Sequence, residues 1–276
     1  DFIRIIMKLV IDDKIPFIRE TISEITDDVV YLKGSEISSV DVKDADALIV
    51  RTRTICNESL LAGSKVRFIA TATIGFDHID TAYMQKAGIS WMNCPGCNSS
   101  SVAQYLRSSL ILLCRKYSIE PQTTTIGIVG YGHVGTKVAA EAIAMGFNVL
   151  VCDPPLVDKS GKSSSFVDMS VIESEADIIT FHVPLVRTGK YPTWHIGDKS
   201  FFDRLSRTPI IINTSRGAVV DNDALLSAMK SGKVKDSVID TWENEPNINI
   251  PLLNSVFIGT PHIAGYSADG KTNADN

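Results

Sequence analysis

Short apolar runs alternate with amphipathic segments along the first third of the chain. The apolar runs are rich in β-branched residues, which favour strands, and the segments between them have helical spacing. Strands that alternate with helices pair in parallel, because the helix supplies the crossover that a parallel connection needs. The pattern predicts an α/β layer with strands at Lys8–Ile11, Val29–Leu32, Ala47–Val50, Val66–Thr71 and Ile89–Trp91, and helices at Pro16–Ile25, Asn57–Ala62 and Thr81–Ala87.

This rhythm changes near Asn93. Cys94-Pro95-Gly96 is a turn signal, and a long helix is predicted at Ser99–Leu113. We therefore predict a first domain over residues 1–93 and a second over residues 94–266. Strands of the second domain are predicted at Thr125–Val129, Val149–Cys152, Asp177–Phe181, Ile210–Asn213, Val238–Asp240 and Val256–Gly259.

Composition narrows the class of protein. The chain has 276 residues, is 44% hydrophobic and carries a formal net charge of −5, so it has no basic footprint for nucleic acid. The apolar opening is interrupted by Lys8 and followed by Asp12-Asp13-Lys14, too short and too charged for a membrane span or signal core. A cytoplasmic location without membrane association is expected.

The five cysteines are an odd number spread through apolar and loop contexts, unlike a disulfide framework. Cys94 and Cys97 have the spacing of a redox or metal pair. No second pair completes a zinc site, so small loop-packing residues are the other interpretation, and no metal site is predicted.

The glycine loop Gly130-Tyr131-Gly132-His133-Val134-Gly135 lies between a predicted buried strand and a helix. Gly130 permits the tight turn, Gly132 the approach of a pyrophosphate, and Gly135 the close packing of helix on strand. The helix N-terminus then favours the phosphate charge. The sequence predicts a Rossmann-type dinucleotide site, which includes His133 and Val134.

Asp153 ends the next strand, where a carboxylate accepts hydrogen bonds from the adenosine ribose and repels a 2′-phosphate. NAD is therefore the predicted cofactor. The alternative is that Asp153 only caps the segment that starts at Pro154.

Three later strand ends carry Arg216, Glu245 and His262. The carboxyl ends of parallel strands meet at one edge of a sheet, so these side chains are predicted to converge. Oxidation of a 2-hydroxy acid needs a base for the hydroxyl proton, and His262 suits that role. Glu245 would fix its tautomer, and Arg216 would hold the substrate carboxylate with its planar fork.

The segments that start at Arg216, Asp240 and Pro261 resemble the signatures of D-isomer-specific 2-hydroxyacid dehydrogenases, and the resemblance extends from Met7 through essentially the whole chain. It implies a Rossmann NAD-binding domain and a smaller flavodoxin-like α/β substrate domain to which residues 267–276 begin to return. The family's C-terminal dimerisation domain is expected to be absent from this chain, which ends at Asn276. The resemblance also implies that the full-length protein is a homodimer and that relatives start near Met7.

The resemblance also implies residue roles. Arg216, Glu245 and His262 are catalytic, and the implied substrate is 4-phospho-D-erythronate, on the route to pyridoxal 5′-phosphate. Further cofactor contacts are Val183, Asp240 and Gly265, and substrate contacts are Thr52, Thr73 and Tyr266.

The residues that would bind the substrate phosphate leave alternatives open for the substrate and for the function. In Val50-Arg51-Thr52-Arg53, strand alternation predicts Arg51 and Arg53 on one face, where they would bind a phosphate or form a solvated strand end. Another D-2-hydroxy acid, such as 3-phosphoglycerate, glycerate or lactate, is an alternative substrate. An NADH-sensing, corepressor-like binding protein is an alternative of a different class.

Overall fold

The computed structural model describes residues 7–161 and 165–268. One compact unit extends to Asn98 and includes Ser267, and the other comprises Ser99–Tyr266. The predicted boundary was between residues 93 and 94. The turn at Cys94 stays with the first unit, because the Cys94 backbone N–H donates to the Thr73 carbonyl (3.1 Å). Residues 1–6, and residues 269–276 of the predicted return, lie outside the described part.

A parallel five-stranded sheet forms the centre of the first unit, as far as its residues are described, in the order β2-β1-β3-β4-β5. This is the flavodoxin-like order. Hydrophobic side chains of β1 and β3 are largely buried, as expected for strands covered on both faces. The strands are β1 (Leu9–Asp12), β2 (Val29–Leu32), β3 (Ala47–Val50), β4 (Phe68–Thr71) and β5 (Ser90–Met92).

The helices of this unit are short. The predicted helix at Pro16–Ile25 is confined to α1 (Ile18–Ile22), and α2 (Ser39–Val42) was not predicted from the sequence. A reciprocal capping box of Ser38 and Asp41 stabilises α2. The remaining helices are α3 (Glu58–Leu61) and α4 (Thr81–Ala87).

The second unit starts with the long helix α5 (Ser99–Tyr117), which extends past the predicted end at Leu113. Arg115 and Lys116 occupy its last turn, where positive charge suits the helix dipole. Its buried stripe contains Val102, Leu106, Leu110 and Leu113.

A parallel six-stranded sheet follows within the described residues, in the order β11-β10-β9-β8-β6-β7. The chain leaves β6 for β7 on one side and then crosses to β8 on the other. This reversal is the switch point at which open α/β sheets bind ligands. The strands are β6 (Thr125–Val129), β7 (Asn148–Cys152), β8 (Ile178–Phe181), β9 (Ile210–Asn213), β10 (Asp236–Ile239) and β11 (Ile258–Gly259).

Each face of this sheet has its own core. Ile210 and Ile212 of β9 pack in a cluster with α5 and α6 residues, whereas Ile211 packs in a second cluster with α8, α9 and α10 residues. Burying a side chain of this size contributes about 1.5–3 kcal/mol. The helices are α6 (His133–Ala144), α7 (Pro154–Ser160), α8 (Met169–Glu175), α9 (Lys199–Arg204), α10 (Asn222–Lys230) and α11 (Ile250–Leu253).

Candidate active site

The glycine loop connects β6 to α6 at the switch point. Gly130 has φ +94°, and a Cβ there would lie 2.6 Å from the His182 carbonyl oxygen. A Cβ on Gly135 would lie 2.0 Å from the Gly130 carbonyl oxygen, so neither position accommodates a side chain. A Cβ on Gly132 would meet nothing within 4 Å. The backbone at Gly132 therefore faces open space, which a pyrophosphate can approach closely.

Helix α6 starts at His133, and its first backbone hydrogen bond runs from Thr136 N–H to the Gly132 carbonyl (3.0 Å). The N–H groups of His133, Val134 and Gly135 precede that bond. The first N–H groups of an α-helix have no partner within the helix, and with the helix dipole they attract anions. This end of α6 fits the phosphates of a dinucleotide.

Asp153 makes two backbone contacts. One carboxylate oxygen accepts from Tyr131 N–H (2.7 Å), and the other from Leu156 N–H (2.9 Å). Asp153 therefore holds the glycine loop and also caps α7. An ionised carboxylate has about four acceptor sites, so capacity remains for ribose hydroxyls. The ribose contact stays a prediction, and the capping interpretation is correct locally.

Three buried polar atoms lie just beyond the ends of the adjacent strands β8, β9 and β10. They are His182 Nδ1, Thr214 Oγ1 and Thr241 Oγ1, and none has a hydrogen-bond partner within the described residues. Burial lowers the pKa of His182 to about 3, so this imidazole is neutral. Buried polar atoms are nearly always paired, so this edge of the sheet fits a polar ligand. Val183, the predicted cofactor contact, follows His182.

Asp240 organises the turn that carries His262. Its buried carboxylate accepts from Thr260 Oγ1 (2.6 Å), Ile263 N–H (2.8 Å) and Ala264 N–H (2.9 Å). Because Thr260 donates to this carboxylate, its oxygen accepts from the Tyr105 hydroxyl (2.7 Å). The structure thus gives Asp240 a role in shaping the turn up to Gly265, while its cofactor contact stays a prediction.

Glu245 and His262 form a hydrogen-bonded pair. His262 Nδ1 lies 3.0 Å from one Glu245 carboxylate oxygen, and the other oxygen accepts from Trp242 N–H (2.8 Å). An ionised carboxylate only accepts, so Nδ1 carries the proton and Nε2 is the free base. His262 keeps a left-handed backbone with φ +56°, a geometry that clusters at functional sites.

Electrostatics reinforce this pair. Burial opposes ionisation of Glu245, but hydrogen bonds from His262 and Trp242 N–H, together with the charges of His262 and Arg216, hold the Glu245 pKa below its usual value. The hydrogen bond to Glu245 raises the pKa of His262, against opposing contributions from burial and from Arg216. The pair therefore stabilises an imidazolium.

Arg216 is close enough for its charge to act on both members of the pair. One of its guanidinium nitrogens donates to the Ser215 carbonyl (2.9 Å). A Cβ on the following Gly217 would lie 1.9 Å from the Trp242 carbonyl oxygen. The Arg216 turn therefore packs directly on the turn that carries Glu245, and the structure brings the three predicted catalytic residues together in one unit.

The predicted substrate contacts Arg51, Thr52, Arg53 and Thr73 lie in the first unit. The prediction that strand alternation puts Arg51 and Arg53 on one face is wrong. Strand β3 ends at Val50, and a turn follows in which Thr54 N–H donates to the Arg51 carbonyl (3.1 Å). Arg51 donates to the Lys14 carbonyl (3.2 Å), and Thr52 and Arg53 are exposed.

Thr73 belongs to a directed hydrogen-bond chain. Its hydroxyl donates to the Gly75 carbonyl (2.8 Å), so it accepts from the Thr71 hydroxyl (2.7 Å). Thr71 in turn accepts from His78 Nε2 (2.9 Å), which must carry the ring proton. Burial lowers the pKa of His78, consistent with a neutral ring.

Tyr266, the remaining predicted substrate contact, lies in the second unit and is 66% exposed.

Residues 102–264 match the model of the D-isomer specific 2-hydroxyacid dehydrogenase NAD-binding domain. The chain belongs to this family. The erythronate-4-phosphate dehydrogenase of Bacteroides fragilis is 56% identical over 268 residues, which cover 97% of this chain and 77% of that protein. The corresponding enzyme of Escherichia coli is 43% identical over 96% of this chain and 70% of its own length.

Solved structures agree with this membership. An NAD⁺-bound 3-phosphoglycerate dehydrogenase from Entamoeba histolytica matches with a TM-score of 0.81 and 26% identity, over 98% of this chain and 92% of that one. A D-lactate dehydrogenase from Aquifex aeolicus, in complex with NAD and lactic acid, matches with a TM-score of 0.77 and 25% identity. This match covers 97% of this chain and 92% of that one. The predicted family, fold class and NAD cofactor are confirmed, and the protein is an NAD-dependent dehydrogenase.

The described residues contain neither a candidate membrane span nor a candidate metal cluster. None of their helices has the length and hydropathy needed to cross a bilayer. In that same part of the chain, histidine, cysteine and acidic side chains form no group that would hold a metal ion.

The residues that support the pair are distant from it in the sequence. Tyr105 reaches Thr260 across 155 positions, and His195 reaches Glu243 across 48. Helical or strand periodicity gives no signal at such separations. The positive φ of His195 marks it in the structure only.

Proposed function

We propose that this chain oxidises 4-phospho-D-erythronate to (R)-3-hydroxy-2-oxo-4-phosphooxybutanoate with NAD, in pyridoxal 5′-phosphate biosynthesis. The observation that carries the proposal is 56% identity, over 97% of the chain, to a protein named for this substrate. The Glu245–His262 pair and the neighbouring Arg216 supply the groups that the reaction needs.

His262 is the proposed proton acceptor. Glu245 holds the Nδ1–H, which leaves the Nε2 lone pair to take the proton from the substrate 2-hydroxyl. As the proton arrives, the positive ring is stabilised by the carboxylate at 3.0 Å. In the reverse direction the same nitrogen returns the proton to the 2-oxo group.

Arg216 is proposed to hold the substrate carboxylate by its bidentate fork, next to the carbon that is oxidised. NAD, when bound, accepts the hydride from that carbon. The open backbone at Gly132, the start of α6 and Asp153 would hold this cofactor. Val183, Asp240 and Gly265 are further proposed contacts.

Specificity for a phosphorylated acid is proposed to come from Arg51 and Arg53 of the first unit, with Thr52, Thr73 and Tyr266 as further substrate contacts. Both arginines follow the carboxyl end of β3, and ligands of open α/β sheets bind outside such ends.

A substrate panel tests the assignment. NADH formation is followed by fluorescence with 4-phospho-D-erythronate, 3-phosphoglycerate, glycerate and D-lactate at equal concentrations. We expect the highest kcat/KM for 4-phosphoerythronate, and a loss of at least about tenfold (~1.4 kcal/mol) on replacing Arg51 and Arg53 by Gln. Preference for a non-phosphorylated acid would reject the substrate. Tight NADH binding without turnover of any acid would instead favour the NADH-sensing alternative.

Assembly and compartment belong to the same proposal. We expect a homodimer in the cytoplasm, as the resemblance implies. Analytical ultracentrifugation of the chain and of its longer relatives, at matched concentrations, measures the oligomeric state.

A further inference from the structure

One turn of the second unit supplies two acid–histidine pairs. Glu245 contacts His262 at 3.0 Å, and Glu243 contacts His195 Nε2 at 2.6 Å. The two glutamates flank Asn244, which has a left-handed φ of +58°. The first pair belongs to the proposed proton transfer. The second has no assigned role, although its side chains are the less exposed of the two pairs, at 21% for His195 and 19% for Glu243.

The second pair connects the Glu245 turn to the Arg216 turn. The other Glu243 oxygen accepts from Asn222 N–H (2.9 Å), and Asn222 Oδ1 accepts from Glu243 N–H (3.2 Å). His195 itself donates its backbone N–H to the Ala218 carbonyl (2.8 Å), two residues beyond Arg216. A displacement of either turn therefore strains the contacts of the other.

His195 is held by contacts of both its ring and its backbone. Its ring stacks on Trp194 with centroids 3.9 Å apart and an interplanar angle of 16°. Its backbone has φ +52°, a geometry that non-glycine residues rarely keep without surrounding support. Asp221 Oδ2 lies 3.8 Å from the second ring nitrogen. The imidazole is thus a rigid partner for Glu243.

Gly217 makes the linkage tight. The Trp242 carbonyl occupies the position that a Cβ on Gly217 would take. The Arg216 turn therefore packs in direct contact with the backbone that precedes Glu243–Glu245. Trp242 N–H also holds a Glu245 oxygen. Loss of the His195 contact would leave a half-buried Glu243 oxygen unpaired, and the turn would move to hydrate it.

We propose that His195, acting through Glu243, is a positioning residue that holds Glu245 and Arg216 in register with His262. It does not touch the reacting atoms. The inference rests on the proposed roles of those three residues but not on which 2-hydroxy acid is the substrate.

The test measures the His262 pKa in the nucleotide-free full chain, by NMR titration of the imidazole C–H signals. His195→Phe keeps the stacking on Trp194 and removes the donor. His195→Gln is the matched control, because its amide nitrogen can still donate to Glu243. Glu243→Gln keeps the volume and weakens the link from the other side. Circular dichroism and NADH titration check that each variant is folded.

We expect His195→Phe and Glu243→Gln to lower the His262 pKa by about half a unit or more, as Glu245 moves away. We also expect each to lower kcat about tenfold, with a smaller change in KM, for whichever 2-hydroxy acid the unmodified chain oxidises. In His195→Gln, the His262 pKa and kcat should stay close to those of the unmodified chain. A His262 pKa equal to that of the unmodified chain in both variants would overturn the proposal, as would a His195→Gln variant as impaired as His195→Phe.

If His195→Phe does not fold, Glu243→Gln alone decides, by the same pKa shift or its absence. Failure of the substrate proposal is distinguishable, because the NMR measurement uses no substrate. A chain that prefers another acid loses the substrate assignment while the positioning role of His195 stands or falls on its own result.

Discussion

At the scale of single residues, the Glu245–His262 pair sets the direction of the pH dependence. Its hydrogen bond raises the His262 pKa. Oxidation requires the neutral imidazole, so activity in that direction is lost as pH falls through the raised pKa. Reduction requires the imidazolium, which the same shift preserves to higher pH.

We therefore expect the acidic limb of kcat/KM for hydroxy-acid oxidation to lie above the ordinary histidine pKa of about 6.5. Glu245→Gln should move that limb to lower pH, because the neutral amide no longer stabilises the charged ring. Rate profiles between pH 5 and 9 measure both. An unchanged limb in Glu245→Gln would show that another group titrates.

Two glycines of one loop make a second prediction at this scale. Gly132→Ala introduces a methyl group into open space, so the fold should tolerate it, yet that methyl would occupy the proposed approach of the pyrophosphate. We expect NADH affinity to fall at least about tenfold (~1.4 kcal/mol) with the thermal midpoint nearly unchanged.

Gly135→Ala is the contrasting variant. Its Cβ meets backbone at 2.0 Å, so we expect loss of both stability and NADH binding. Fluorescence titration and thermal unfolding separate the two effects. Unchanged NADH affinity in Gly132→Ala would move the pyrophosphate away from this residue.

At the scale of elements, helix α5 supports one face of the six-stranded sheet. Leu110 is 2% exposed, whereas Leu112, two residues later, is 45% exposed. We expect Leu110→Ala to lower the free energy of unfolding by about 2–5 kcal/mol. The matched Leu112→Ala should change it by no more than about 0.5 kcal/mol. Urea unfolding measures both, and equal effects would contradict the observed packing of α5.

Some elements follow from the sequence alone, and others depend on contacts that the sequence does not reveal. Strands β6 and β9 have the predicted bounds, because both are short runs in which β-branched residues predominate. The four-residue helix α2 was missed, since it contains barely one turn and depends on its Ser38–Asp41 cap. Arg51 and Arg53 were misplaced, because the end of β3 is decided by a backbone turn and not by alternation.

The candidate active site was also predictable only in part. Arg216, Glu245 and His262 lie at strand ends that topology brings together, so their convergence followed from the pattern. The contacts of Asp153 with Tyr131 N–H and of Asp240 with Thr260 depend on tertiary placement, and no local signal announces them. The contacts of His195 with Glu243 and Ala218 likewise have no local signal in the sequence.

At the scale of the whole molecule, each unit has a core of its own, and the tryptophans divide between them. Trp91 lies in the first unit, and Trp194 and Trp242 lie in the second. In Trp91→Phe, tryptophan fluorescence reports the second unit alone. NADH at 100 times its dissociation constant should stabilise that unit by about 2.7 kcal/mol. Urea unfolding with and without NADH measures the shift, and an unchanged midpoint would place the nucleotide elsewhere.

The glycine loop, the guanidinium and the acid–histidine pair all lie between residues 130 and 262, within a single unit. The arginines proposed to select the phosphate come from a different stretch of chain, before residue 99. Exchange of the segment before residue 99 with that of a relative would therefore replace the arginines proposed to select the phosphate and leave the glycine loop, the guanidinium and the acid–histidine pair unaltered.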